Sequence, residues 1–210
     1  MSSAIIDTPS LLTAIEDYMN RDDIAGEGVS QMCVSLGEAR LNRMVRHPRR
    51  IGRDDSFSVS AQYVALPTDF HRLERITLAD GARTIPLVVV SIEEMADLRM
   101  SRQTSGEPKF VTITGTELEF CPTPAKAYTG SIVYSKTLPS LASNTSNWLL
   151  SLAPDLYLYA ALTEAYHWAQ DDAKAAMYES KTRLGVDELR KNGDYEAFGG
   201  TPRAMTPTFG

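Results

Sequence analysis

Residues 147–189 read NWLLSLAPDLYLYAALTEAYHWAQDDAKAAMYESKTRLGVDEL, and their spacing predicts a short helix feeding two longer antiparallel ones. Asn147 suits an N-cap. Pro154 ends the first turn, because a proline disfavours helical geometry at Ala153 while fitting the first position of the next helix. Asp155 then faces the positive end of a helix dipole. Behind it Leu156, Tyr159, Leu162, Thr163 and Tyr166 recur at helical spacing as an apolar, aromatic-rich stripe. After Gln170, the pair Asp171 and Asp172 can stop one helix and cap the next. The inward face of that next helix is expected at Ala173, Ala176, Met177, Ser180 and Leu184. A helix over 154–170 would be about 25 Å long, enough for a full packing face.

Upstream, Thr8-Pro9 resembles a capped helix start, and Leu11, Leu12, Ile15 and Met19 mark one apolar face up to about Asn20. A charged loop with two glycines precedes a second helix, expected over Val29 to Arg46 and closed by Pro48. Its end carries a basic patch of Arg40, Arg43, Arg46, Arg49, Arg50 and Arg53, with His47 among them. Spacing of three sets the first three near one helical face, which suits phosphate, an acidic partner or a solvated helix end. From residue 54 the period becomes two. Phe57, Val59, Ala61 and Tyr63 alternate as in a half-buried strand. Asp80-Gly81 and Gly115-Thr116 mark hairpins, and Ser91 with Glu94 suggests a capped short helix. One more strand is expected at Gly130 to Tyr134.

The expected fold class is therefore α+β: a helical bundle of N- and C-terminal helices with an inserted, mostly antiparallel β-sheet subdomain. The helical part spans 1–53 and 139–192, the β-rich insert 54–138, and an extended C-terminal tail 193–210. Phe198, Met205 and Phe209 are apolar anchors along that tail, suited to ordering on a partner.

Composition excludes several functions. Net charge is −6 with 43% hydrophobic residues, which fits a chain with a real core and argues against tight grip on nucleic acid, where affinity comes from cations neutralising phosphates. Cys33 and Cys121 have no CxxC pairing and sit in apolar surroundings, as small buried hydrophobes do. No run approaches the ~20 apolar residues of a membrane span, and the opening MSSAIIDTP lacks the regions of a secretory leader, so an intracellular chain is expected. No phosphate-binding glycine loop, dinucleotide fingerprint, HExxH or GxSxG elbow occurs. His47, His71 and His167 fall in three different elements. The reading is of a non-enzyme with no catalytic residue, metal or cofactor.

The run NWLLSLAPDLYLYAALTEAYHWAQDDAKAAMYESK resembles the C-terminal signature of tailed-bacteriophage head-to-tail adaptor (connector) proteins. LGEARLNRMVR, LPTDFHRLERITL and KFVTITGTELEFCPTP resemble, in the same order, the family's early helix and β insert, covering roughly residues 10–190. The resemblance implies a structural virion protein of the neck, assembled in the host bacterial cytoplasm. It implies a ring of twelve copies beneath the portal, which passes double-stranded DNA and receives downstream tail or nozzle proteins. It also implies portal binding through the tail, at Phe198, Thr201, Pro202, Arg203, Met205 and Phe209. A ring needs heterologous contacts, for which the surplus aromatics Trp148, Tyr157, Tyr159, Tyr166, Trp168 and Tyr178 are candidates. A tail-completion or stopper ring is the alternative within virion proteins. A DNA-binding protein using Arg40 to Arg53 is the alternative from another class.

Overall fold

The computed structural model describes residues 4–21, 23–26, 28–101 and 105–198. The protein is mixed α+β with mostly antiparallel sheets. In chain order the elements are α1 (Thr8–Met19), α2 (Asp23–Gly26), α3 (Val29–Met44), a 3-10 turn (Pro48–Arg50), β1 (Ile51–Val59), β2 (Tyr63–Ala65), β3 (Phe70–Asp80), β4 (Arg83–Pro86) and β5 (Val88–Val89). There follow α4 (Ile92–Ser101), β6 (Ser105–Gly106), β7 (Phe110–Thr114), β8 (Glu117–Cys121), β9 (Thr123–Pro124), β10 (Tyr128–Lys136), α5 (Trp148–Leu152), α6 (Pro154–Trp168) and α7 (Asp172–Phe198). The chain divides into two compact units, one of Met1–Arg50 with Leu138–Gly210 and one of Ile51–Thr137.

In the first unit, α1 is capped by Asp7 rather than Thr8. The Asp7 carboxylate accepts from Ser10 N at 2.9 Å and Ser10 Oγ accepts from Asp7 N at 3.0 Å, a reciprocal cap. Thr8 is used elsewhere, its N–H donating to the Thr145 carbonyl at 2.8 Å. Asn20 ends the helix in the left-handed region. Asn147 caps α5 as its chemistry suggests, accepting from Leu149 N at 3.1 Å and Leu150 N at 2.9 Å. Its amide also donates to the Pro139 carbonyl at 2.9 Å and to Tyr157 Oη at 2.6 Å. One buried side chain thus ties the incoming loop, the α5 N-terminus and α6 together.

α6 carries more than the single stripe its spacing suggests. Leu156, Tyr157, Leu158, Ala160, Ala161, Leu162, Thr163, Ala165 and Tyr166 are all buried, because α1, α3, α5 and α7 pack around it. A helix with neighbours on several sides needs small residues where backbones meet. Gly37 of α3 meets that need, for a Cβ there would lie 3.0 Å from the Ala160 carbonyl carbon and from Ala161 N.

Two expectations for α7 are corrected. Its buried residues are Ala175, Tyr178, Thr182, Val186 and Leu189, not Ala173, Ala176, Met177, Ser180 and Leu184. Both sets have helical spacing, and the set that faces inward is the one whose Tyr178 stacks on Tyr166, centroids 5.4 Å apart and nearly parallel. The helix also runs to Phe198, so residues 193–198 of the expected extended tail are helical. Gly193 is not a stop: a Cβ there would come within 2.8 Å of His47 Cδ2 and Pro48 Cδ, so glycine lets the helix cross the 3-10 turn.

In the second unit, β1-β10-β3-β4 form one antiparallel sheet and β2-β8-β7-β5 another, in which β5 runs parallel to β7. The hairpins at Gly81 and Gly115 stand where the sequence marks them, each glycine with positive φ. The single strand expected through Phe57 to Tyr63 is split: β1 ends at Val59, and β2 starts at Tyr63 in the other sheet. Inward-facing Phe57, Ile76, Ile132, Val111, Leu118 and Phe120 from the two sheets share one core. Ser91 Oγ accepts from Glu94 N at 3.1 Å at the start of α4.

Replacing Gly37 by alanine gains about 1 kcal/mol of helix propensity but drives a methyl into backbone atoms of α6 that its other neighbours hold in place. Overpacking costs typically 1–3 kcal/mol and wins here. Gly37→Ala is therefore expected to lower the unfolding free energy by about 1–2 kcal/mol in urea denaturation.

Candidate interaction surfaces

The basic run does not act as one patch, because Arg40 is claimed by acidic residues far off in sequence and Arg50 and Arg53 by acceptors close to them. Arg40 on α3 donates from Nη2 to Glu164 at 2.7 Å and from Nη1 to Glu179 at 3.3 Å, joining α3 to α6 and α7. Arg50 is 2% exposed. Its Nη1 donates to the carbonyls of Val45 at 2.8 Å and Asn42 at 2.9 Å, and its Nη2 to Asn42 Oδ1 at 3.2 Å. It thus satisfies the C-terminal end of α3, where a cation is favoured. Arg49 is exposed, 3.9 Å from Glu196. Arg53 belongs to β1 rather than to a helix end and pairs with Asp55 at 2.7 Å. Arg43 and Arg46 are exposed.

His47 is buried among these arginines, its ring 5.4 Å from Trp148. Nδ1 accepts from Arg49 N at 3.2 Å, so the proton of the neutral ring sits on Nε2. That atom has no hydrogen-bond partner among the described residues and lies 3.9 Å from the Glu196 carboxylate. Burial lowers the His47 pKa from its ordinary 6.5, and Glu196 offsets this only in part. An open cleft of about 460 Å³ adjoins it, lined by residues including Leu152, Asp155, Leu189 and Glu196. None of its lining residues is a serine, threonine or cysteine.

The six candidate aromatics divide by exposure. Tyr157, at 1% exposure, and the stacked pair Tyr166 and Tyr178 are buried within their own unit. These three pack in the core of a single copy, leaving little surface for a neighbouring one. Burial pushes the Tyr157 and Tyr178 phenols above their usual pKa. Trp148 and Tyr159 are half-buried and Trp168 is exposed. Cations cover several of the rings, Lys181 lying 4.9 Å from Tyr178 and 5.3 Å from Tyr159, and Arg21 5.4 Å from Trp168.

Cys33 and Cys121 are buried thiols, and burial pushes Cys33 up to about 11. Among the described residues no group of three or more histidine, cysteine or acidic side chains could hold a metal ion, and no helix is long and apolar enough to cross a membrane. Of the tail candidates, Phe198 ends α7, while Thr201, Pro202, Arg203, Met205 and Phe209 lie outside the described residues. The sequence reading missed two exposed helix faces, Met32 with Leu36 on α3 and Met177 with Leu184 on α7. The second apolar spacing on α7 was the signal for one of them.

The exposed apolar helix faces offer surface for other proteins. A family model, that of the SU10 adaptor protein, matches residues 7–206. The chain belongs to the SU10 adaptor family. This is a bacteriophage head-tail adaptor family, whose members interact with other head or tail proteins. No curated protein matches the sequence. The matched span includes Thr201, Pro202, Arg203 and Met205, and Phe209 lies beyond it.

Two outcomes follow for the basic run. Arg50→Ala removes the donor to the buried Val45 carbonyl and the part-buried Asn42 carbonyl and should cost about 3 kcal/mol, whereas Arg43→Ala should stay within about 0.5 kcal/mol in the same urea titration. Because the folded-state pKa of His47 lies below 6.5, the unfolded chain takes up its proton first as pH falls. The associated stability is complete above pH 6.5 and is lost as pH drops from there through the folded-state value. Stability measured from about pH 7 to 5 should fall in the parent and fall less in His47→Gln.

Proposed function

We propose that the protein is the subunit of an adaptor ring seated beneath the phage portal, joining head to tail and continuing the channel for double-stranded DNA. The observation that carries this reading is the family match over residues 7–206. In this reading the unit of Met1–Arg50 with Leu138–Gly210 is a helical body, that of Ile51–Thr137 a β-rich insert, and the segment after α7 a fastening to the portal through Thr201, Pro202, Arg203, Met205 and Phe209. The ring has twelve copies, and its lower face receives the next tail or nozzle protein. The work is binding, with no catalysis. A net charge of −6 suits a channel that passes a polyanion without retaining it.

The dispersal of the arginine run supports this reading over a DNA-binding one. Arg40 and Arg50 are spent on intramolecular acceptors, which leaves too few clustered cations for strong counterion release.

Mixing the protein with assembled portal should give a ring-shaped complex in electron micrographs. Deleting residues 201–210 should leave thermal unfolding unchanged and weaken portal attachment by more than about tenfold, a loss of 1.4 kcal/mol or more. Undiminished attachment of the deleted form would refute the fastening, and absence of any complex with the full chain would refute the ring.

A further inference from the structure

Two helices of the first unit carry apolar stripes that their own chain leaves uncovered. On α3, Met32 and Leu36 are 44% and 46% exposed, and on α7, Met177 and Leu184 are 44% and 65% exposed. At about 100° per residue, Met32, Leu36 and Arg43 fall within a sector of about 40°, and so do Met177, Leu184 and Glu188. Each stripe lies about 120–140° round its helix from the buried face, which on α3 holds Cys33, Gly37 and Leu41 and on α7 holds Ala175, Thr182 and Leu189. Within one copy the apolar residues of both stripes stay exposed.

We propose that the stripe Met32–Leu36–Arg43 of one copy docks on the stripe Met177–Leu184–Glu188 of the next. This rests on the ring reading and names the surfaces that would build it. The match is in length, packing and charge. Eleven residues separate Met32 from Arg43 and Met177 from Glu188, about 16.5 Å along each helix. With the helices parallel and the methionines level, Leu36 stands about 6 Å and Leu184 about 10.5 Å along the contact, so the leucines interleave. Arg43 then arrives opposite Glu188. Both are exposed. The antiparallel alternative sets Arg43 against Met177, where a cation is desolvated without a partner.

Other charges on these faces do not oppose the match. Lys181 lies against Tyr159 and Tyr178. Arg40 is held by Glu164 and Glu179. Lys191 is a turn past Glu188, beyond the stretch that Arg43 reaches. Because the two stripes differ, the contact is heterologous, which is the kind that propagates into a ring. Exposed apolar side chains grouped on one helix face suit protein contacts.

Single-cysteine variants of the full chain test the assignment. Met32→Cys and Met177→Cys are mixed under mild oxidation, the native Cys33 and Cys121 being buried, and products are separated without reductant and identified by mass. The expected product is a disulfide joining positions 32 and 177 of different copies, in excess over either self-linked dimer. The pair Leu36→Cys with Leu184→Cys provides the same reading should the first fail to fold. Arg43→Glu and Glu188→Arg should each reduce cross-linking more than about tenfold, and combining both in one chain should restore it. Predominant 177–177 links, or rings in micrographs without 32–177 links, would overturn this pairing while leaving the ring reading intact. Absence of self-association both alone and on the portal would overturn both.

Discussion

The close contact of α3 with α6 is the constraint on which the first unit depends. α6 has α1, α3, α5 and α7 against it, and helices surrounding a helix can approach only where side chains are small. Ala160, Ala161 and Ala165 are fully buried, and Gly37 lets α3 rest against the α6 backbone. Polar groups drawn into this packing are satisfied in place. Thr163 Oγ1 donates to the Tyr159 carbonyl at 2.8 Å, Thr182 Oγ1 to the Tyr178 carbonyl at 2.9 Å, and buried Glu38 accepts from Leu141 N at 2.8 Å. Each would cost on the order of 1–3 kcal/mol if left unpaired. The interior therefore specifies one arrangement rather than a loose apolar cluster.

Short-range chemistry was legible in the sequence and long-range partnership was not. Asn147, Pro154, Gly81 and Gly115 act through their own backbones or the next few residues, so their roles show in a local window. The face of α7 does not, since Met177 with Leu184 and Thr182 with Leu189 have the same helical spacing and only α6 chooses between them. Gly193 has two meanings in a sequence, chain stop and close approach, and the second needs His47 and Pro48 to be known. The break between β1 and β2 likewise depends on which sheet accepts each strand. Among candidate site residues, Arg40 was visible within a run while its acceptors Glu164 and Glu179 lie more than a hundred residues away.

The same separation explains why a search for catalytic motifs could not lead to function here. A reaction centre concentrates a few residues in fixed relation, and a motif can record that relation. An adaptor works through extended surfaces whose specificity comes from shape and charge spread over several elements. The family match over residues 7–206 captures such a distributed pattern where no short motif does.

Burying α6 so fully has a consequence for the rest of the unit. The apolar residues of that element are consumed by the core, so α3 and α7 must supply both the walls of the interior and the surface shown to solvent. Each is amphipathic in an unusual sense, with a buried apolar face and a second, exposed face that keeps methionine and leucine beside charge. For a monomer those residues would be an aggregation liability. In a proposed ring they become contacts, and Arg43 and Glu188 at one end of each stripe bias which faces meet. Arg40, which binds Glu164 and Glu179 between the same helices, holds α3 and α7 in fixed relation. In the proposed ring, the angle between the two exposed faces would govern whether successive copies close or run on as a filament.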